Sequence, residues 1–180
     1  MVDTMPAQIW IIRHGEKPDN DSDPSLTAQG VTRSEEIASL FPQRYQIDFL
    51  FASAPSAASY RPIQTVLPLL VALDTTGSVP FNMQFPDKLA KEVRDELRKP
   101  QYSGKNVFIC WHHGEIPALA KELAKGYTVT GGTPPGSGIP TEWDGKTIYD
   151  RIWSLAYTPD GKGGGTVFFT DTSENLPMDG

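Results

Sequence analysis

Residues 9–16 read Ile-Trp-Ile-Ile-Arg-His-Gly-Glu, and the prediction of the fold starts from this stretch. An unbroken apolar run is followed directly by a guanidinium, an imidazole and a glycine. A short apolar run that stops at a turn is typical of a buried strand. We therefore predict a strand over residues 9–12, with Arg13 and His14 at its carboxyl end.

Further strands and helices alternate with this strand through the first 125 residues. Strands are predicted over residues 47–53, 79–83 and 106–111, and helices after a cap at Thr27 and over residues 62–73, 87–99 and 117–125. This alternation predicts an α/β fold, a three-layer sandwich with a largely parallel central sheet flanked by helices. Beyond a glycine- and proline-rich loop at residues 131–145, a hairpin over residues 152–157 and 166–170 is predicted to add an antiparallel edge.

The composition is that of a globular protein, and it narrows the classes of function. A length of 180 residues suits one domain over residues 1–180, and a net charge of −6 argues against broad nucleic-acid binding. The single cysteine, Cys110, lies in an apolar run and is interpreted as a core residue. Neither a signal peptide nor a membrane-spanning run is recognised, so a cytoplasmic protein without membrane contact is expected.

Three predicted strand ends contain unusual polar residues. Arg13 and His14 end the first strand, Arg61 follows the second, and His112 and His113 follow the strand over residues 106–111. Ligands of open α/β sheets bind beyond the carboxyl ends of the strands, so these side chains are expected to meet. Guanidinium groups match phosphate oxygens, and a neutral imidazole is a nucleophile. Cationic side chains can stabilise the phosphoryl charge, so no metal or other cofactor is expected.

These residues resemble the motifs of a known family, the histidine phosphatase superfamily, also called phosphoglycerate-mutase-like. Residues 11–16 look like its signature, and Leu26-Thr27 followed by Gly30 is similar to its next segment. The family's second arginine lies in a segment that resembles Ser53-Ala54-Pro55 with Arg61 and Gln64-Thr65. Its second histidine lies in a segment that resembles residues 111–114. The motifs occur in the family's order over about residues 9 to 120.

The resemblance implies a role for each residue. His14 would attack phosphorus and form a phosphohistidine that water then hydrolyses, while Arg13, Arg61 and His113 would hold the phosphoryl oxygens. His113 is preferred to His112 because Gly114 follows it, as in the family, and because His112 is expected to point the other way along the strand.

Two features depart from the family pattern. Ala54 lies between the serine and the proline, and Pro62 replaces an alanine, so Arg44 and Arg94 remain weaker substitutes for Arg61. The family's usual glutamate pattern for the general acid is missing. Glu115 is preferred because it lies two residues from His113. The other candidates are Asp87, Glu92 and Glu16, of which Glu16 could equally pair with an arginine.

The predicted function is hydrolysis of a phosphomonoester without a metal. A phosphoglycerate-mutase-type phosphotransferase and an inactive relative that binds a phosphorylated ligand are the alternatives. A metal site at His112, His113 and Glu115 is disfavoured because the spacing matches no known zinc signature. The substrate would be a small phosphorylated molecule or a phosphoprotein, selected by the loops at residues 17–25 and 131–145; the sequence indicates no oligomeric state.

Overall fold

The structure is a computed structural model and describes residues 5–20, 22–75, 77–143 and 147–179. The described strands are β1 (Gln8–Arg13), β2 (Phe49–Ala52), β3 (Phe81–Asn82), β4 (Asn106–Trp111), β5 (Thr128–Gly131), β6 (Arg151–Pro159) and β7 (Gly165–Ser173). The α-helices are α1 (Ala28–Arg44), α2 (Arg61–Asp74), α3 (Ala90–Leu97) and α4 (Ile116–Leu123), and short 3₁₀ helices cover Pro100–Tyr102 and Pro177–Asp179. No helix among these residues is long and apolar enough to cross a membrane.

The strands form one mixed sheet in the order β3-β2-β4-β1-β6-β7-β5. Parallel pairing joins β1 to β4, β4 to β2, β2 to β3 and β7 to β5, whereas β6 is antiparallel to both β1 and β7. The predictions of a largely parallel sheet and of an antiparallel edge therefore need correction. The antiparallel strand β6 lies inside the sheet, where it pairs with β1 on one side and with β7 on the other. The edge strand β5 was not predicted.

Helices cover both faces of this sheet, as the sequence predicted. On one face, Ile37 and Phe41 of α1 and Val66 and Leu69 of α2 pack on residues such as Ile12, Leu50 and Phe108. On the other face, Val93 and Leu97 of α3 and Leu119 and Leu123 of α4 pack on residues such as Ile9, Ile11 and Ile109. Apolar residues buried on both sides make the sheet the rigid frame of the molecule.

The amino end of α1 lies directly against the chain that leaves β1. Thr27 caps the helix, since its Oγ1 accepts a hydrogen bond from Gly30 N over 3.1 Å. A Cβ atom at Gly30 would lie 2.7 Å from Glu16 O and 2.8 Å from Glu16 N. A Cβ atom at Gly15 would lie 2.9 Å from Gly30 O. The two glycines therefore allow the backbones to touch beside His14.

Gly30→Ala is expected to lower the free energy of unfolding by about 1–3 kcal/mol, because the added methyl group meets backbone that cannot move aside. The sign of this stability change is informative, since alanine in a helix is otherwise favoured over glycine by about 1 kcal/mol. Urea denaturation measures the difference. Gly114→Ala is the control, because a Cβ atom there has nothing within 4 Å. Equal stability of the two variants would contradict the close approach.

Candidate active site

The first feature of the site is a pair of imidazoles at the ends of β1 and β4. Arg13 is paired with Trp111 in the parallel ladder, and His14 N continues it by donating to Trp111 O over 3.1 Å. The next residues, His14 and His112, therefore lie side by side. Their ring centroids are 5.0 Å apart, with the planes inclined at 70°.

The structure therefore places the ring of His112 beside His14, whereas the choice of His113 as the second histidine stays a prediction. Alternation of side chains along an extended chain shows only that His112 and His113, which follow β4, point in different directions. Which of them faces His14 depends on the register between β1 and β4, since residues side by side in a ladder point to the same face. That register places the ring of His112 against His14.

His14 is held as a neutral imidazole with one tautomer. The side chain is buried, and Nδ1 lies 2.7 Å from Gly15 O. A carbonyl oxygen can only accept, so Nδ1 has the hydrogen and Nε2 has the lone pair. Burial lowers the pKa of His14 well below its usual 6.5, and the charges of His112, Arg13 and Arg61 lower it further. At neutral pH the ring is therefore a nucleophile.

Arg13 is a buried cation beside this ring. Its Nη1 donates to Ile148 O over 3.1 Å, and its guanidinium carbon lies 3.7 Å from the centre of the Tyr149 ring. Burial lowers the pKa of Arg13 to about 10, while the charges of Tyr149 and Glu16 raise it. The group therefore stays positive at neutral pH and can attract an anion.

Arg61, the first residue of α2, is the second cation of the site. It is buried, and its Nη1 donates to Asp23 O over 2.8 Å. Thr65 Oγ1 accepts from Gly15 N over 2.9 Å and donates to Arg61 O over 2.8 Å, which joins the first turn of α2 to the His14 loop. The charge of Arg61 lowers the pKa of His14 and of His112, so it acts on both imidazoles.

The two substitutes for Arg61 lie in other networks. Arg44 donates from Nη1 and Nη2 to the carbonyl oxygens of Glu174 and Asn175. Arg94 is paired with Asp95 and Glu122. The charges of Arg13 and Arg61 thus both act on the ring of His14.

Asp87 is a carboxylate whose charge acts on His112. Burial lowers the pKa of His112, and among nearby charges that of Asp87 raises it while Arg61 and Arg13 lower it. Trp111 Nε1 donates to Asp87 O over 2.9 Å, which fixes the Asp87 segment at the end of β4. The charge of Asp87 thus reaches the His112 ring, which favours Asp87 among the candidate acids.

The other three carboxylates have different surroundings. Glu115 is the N-cap residue of α4, where its side chain makes no capping hydrogen bond. Glu92 is exposed in the first turn of α3. Glu16 is bound to Arg33 by a hydrogen bond of 2.8 Å, so the pairing that the sequence left open is the one observed. Among the described residues, no three His, Cys, Asp or Glu side chains cluster as metal ligands do.

Sequence reasoning missed several residues that build the site. Tyr149 stacks on Arg13, and its hydroxyl accepts from Lys17 N over 3.5 Å, so it contacts the start of the loop at residues 17–25. No motif marks Tyr149. Thr65 lies in the predicted second-arginine segment, but its contact with Gly15 was not predicted. Ser53 Oγ at the end of β2 is buried without a hydrogen-bond partner among the described residues. Residue 21 of the first predicted loop and residues 144–145 of the second lie outside the described residues.

The ring signals of His14 in an NMR titration are expected to remain those of the neutral form as the pH falls through 6.5, its usual pKa. The unfolded chain takes up a proton near that pH while folded His14 does not. The free energy of unfolding should therefore fall as the pH drops below about 6.5, and His14→Gln should reduce that slope. Ordinary titration of His14 near this pH would contradict the burial argument.

Comparison with solved structures shows the same fold in phosphatases. The protein histidine phosphatase SixA complexed with tungstate has a TM-score of 0.58 and 21% identity, over 92% of this chain and 96% of that one. Mycobacterial glucosyl-3-phosphoglycerate phosphatase with VO₃ has a TM-score of 0.56 and 15% identity, over 94% of this chain and 99% of that one. A phosphoserine phosphatase mutant from Entamoeba histolytica with phosphoserine has a TM-score of 0.55 and 14% identity, over 94% of this chain and 96% of that one.

No protein-family model matches this sequence, and no curated protein is similar to it. The structural similarity extends over nearly the whole chain in each of the three comparisons. The chain therefore has the fold of the histidine phosphatase, or phosphoglycerate-mutase-like, superfamily.

Proposed function

We propose that this protein is a phosphatase that hydrolyses a phosphomonoester through a phosphohistidine on His14. The observation that supports it most is the state of the His14 ring. Gly15 O holds the hydrogen on Nδ1, and burial beside two guanidinium groups keeps the ring neutral. A nucleophilic nitrogen among cations suits attack on a dianionic phosphoryl group, which the cations attract and the lone pair can attack.

In the first step, His14 Nε2 attacks phosphorus in line with the ester oxygen. The new N–P bond forms as the P–O bond breaks, and the electron pair leaves with the ester oxygen. Asp87, in its protonated form, gives that oxygen a proton. Arg13 and Arg61 balance the charge of the phosphoryl oxygens, and His112 donates a hydrogen bond to one of them.

In the second step, water attacks the phosphorus of the phosphohistidine. The Asp87 carboxylate accepts the proton of that water, the N–P bond breaks, and its electron pair returns to Nε2. Inorganic phosphate leaves, and His14 is again neutral with the hydrogen on Nδ1. The same tautomer thus serves both steps, because Nδ1 keeps its hydrogen bond to Gly15 O throughout.

The solved structures with this fold support the choice of ligand. Tungstate, VO₃ and phosphoserine are the molecules bound to SixA, the mycobacterial phosphatase and the Entamoeba enzyme. The first two are oxyanions, and the third is a phosphomonoester. Binding of such groups at the carboxyl ends of β1 and β4 agrees with the charge of Arg13 and Arg61.

Turnover and trapping test the proposal together. The protein should release p-nitrophenol from p-nitrophenyl phosphate, also in the presence of EDTA, since the proposed charge balance uses side chains alone. Rapid quenching should trap phosphate on His14 in a form that is labile to acid and stable to base, as a phosphoramidate is. Absence of turnover, or phosphate trapped on another residue, would refute it.

Asp87→Asn is expected to lower kcat by about 10²- to 10⁴-fold for an alkyl phosphate such as glycerol phosphate. The loss should be much smaller for p-nitrophenyl phosphate, because its leaving group is stable without a proton. Glu115→Gln is the matched control and should change neither rate by more than about threefold. Steady-state kinetics with both substrates check this, and a larger alkyl-specific loss in Glu115→Gln would restore Glu115 as the acid.

A further inference from the structure

A buried ion network connects the His14 loop to the carboxyl-terminal part of the chain. Arg33 of α1 binds Glu16 with Nε, 3.0 Å from Oε1, and with Nη2, 2.8 Å from Oε1. On its other side, Nη1 donates to Glu174 Oε2 over 2.7 Å. The Arg33 and Glu174 side chains are 4% and 0% exposed, so this pair is shielded from water and salt.

This network ends on the peptide that sets the tautomer of His14. The carbonyl that accepts from His14 Nδ1 belongs to the Gly15–Glu16 peptide, so it is bonded directly to the Glu16 backbone. Glu16 has its side chain fixed by Arg33, and its carbonyl oxygen accepts from Thr27 N over 2.9 Å. The orientation of the Gly15 carbonyl therefore depends on where Arg33 holds the Glu16 side chain.

Glu174 is one of two carboxylates that bind Arg33. Its Oε2 accepts from Arg33 Nη1, while Glu16 accepts from Nε and Nη2. Without Glu174, Nη1 would lose this acceptor. A buried guanidinium that loses a hydrogen-bonded counter-charge moves toward other acceptors or admits water, since burying a charge that is incompletely compensated is costly. Either response would release the Glu16 side chain from its present position.

Other contacts also bind the carboxyl-terminal segment to α1, and they offer a control. Arg44 Nη1 and Nη2 donate to Glu174 O and Asn175 O over 2.6 Å and 3.1 Å. Leu176 is buried in the core beneath α1 and α2. Loss of the Arg44 contacts would loosen the segment while leaving the bonds among Glu174, Arg33 and Glu16 in place.

We infer that Glu174 is a positioning residue, which acts through Arg33 and Glu16 to hold the Gly15 carbonyl against His14 Nδ1. Its effect on catalysis rests on the proposed function, while its effect on the tautomer does not. The carboxyl-terminal segment thus contributes to the active site through Arg33 and Glu16.

The test compares Glu174→Ala with Arg44→Met in the full-length protein. Glu174→Ala should lower kcat on p-nitrophenyl phosphate about 10- to 100-fold, the loss typical of a displaced reacting group. The KM should stay within about twofold, because the phosphate-binding cations are unchanged. Arg44→Met should keep kcat within about twofold of the wild type. Glu174→Asp, whose carboxylate falls short of Arg33, keeps the charge and should show the same loss of kcat if Glu174→Ala does not fold.

A second readout does not depend on activity. The chain has three histidines, so ¹⁵N-histidine spectra are simple, and the His14 signals are those missing in His14→Ala. In the wild type His14 should show one tautomer with hydrogen on Nδ1, and in the Glu174 variants a mixture. An unchanged tautomer and kcat in those variants, or an equal loss of kcat in Arg44→Met, would overturn the inference. An inactive wild type with the expected tautomer change would refute only the proposed function.

Discussion

His14→Ala is expected to lower kcat for p-nitrophenyl phosphate by at least about 10⁴-fold, the scale seen when a catalytic nucleophile is removed. The reason is that the neutral ring, with Nδ1 bonded to Gly15 O, supplies the lone pair that attacks phosphorus in the first step. Arg13 and Arg61 remain in the variant. Binding of tungstate, measured by calorimetry, should therefore stay within about tenfold of the wild type.

Matched histidine variants separate this proposal from its alternatives. His112→Ala should lower kcat about 10²- to 10³-fold, because one hydrogen-bond donor to the phosphoryl oxygens is lost. His113→Ala should lower it by less than about fivefold, since the ring beside His14 is that of His112. Activity that survives in His14→Ala would refute the covalent mechanism, and a larger loss in His113→Ala than in His112→Ala would refute the assignment of the second histidine.

Arg33→Met is expected to lower the free energy of unfolding by about 3–5 kcal/mol, the usual cost of removing one partner from a buried ion pair. Methionine fills most of the space of the arginine stem, so the loss is electrostatic rather than a loss of packing. Glu16 and Glu174 would be left buried without the guanidinium that now lies 2.8 Å and 2.7 Å from them. Urea denaturation measures the change.

An exposed ion pair provides the control for this variant. Lys91 Nζ lies 2.6 Å from Asp95 Oδ2, but the two side chains are 66% and 45% exposed. Lys91→Met should therefore cost less than about 1 kcal/mol, as is usual for surface pairs. If the two variants were equally stable, the buried network would contribute no more than a surface pair, and its proposed influence on His14 would lose its physical basis.

Local sequence signals were sufficient for most of the secondary structure. The strand over residues 106–111 has the predicted bounds, and Thr27 caps α1 as expected. These signals are apolar runs, helical spacing and cap residues, which act over a few neighbouring positions. Predictions weakened where the pattern was mixed. Val31 of α1 is apolar but 45% exposed, and β5 has only four residues, none of them fully buried.

The position of β6 shows how a correct element can be placed incorrectly. The hairpin of β6 and β7 was predicted from its two apolar runs and its glycine-rich turn. Its place beside β1, inside the sheet, depends on which strand edge remains open once β4 has paired with β1 on the other side. Local sequence does not contain that information, because strand order is set by packing of the whole sheet.

By itself, the sequence determined that Arg13 and His14 end a buried strand, that helices flank the sheet, and that Arg61 begins a helix. Only the tertiary structure showed that the ring of His112 lies beside His14, that the charge of Asp87 acts on His112, and that Arg33 binds Glu174, which lies 141 residues away. The physical reason is the distance along the chain between the residues that determine each feature. Strand and helix formation follow from neighbouring residues, whereas the register of two strands, the burial of a ring and the pairing of buried charges depend on segments that meet only when the chain has folded.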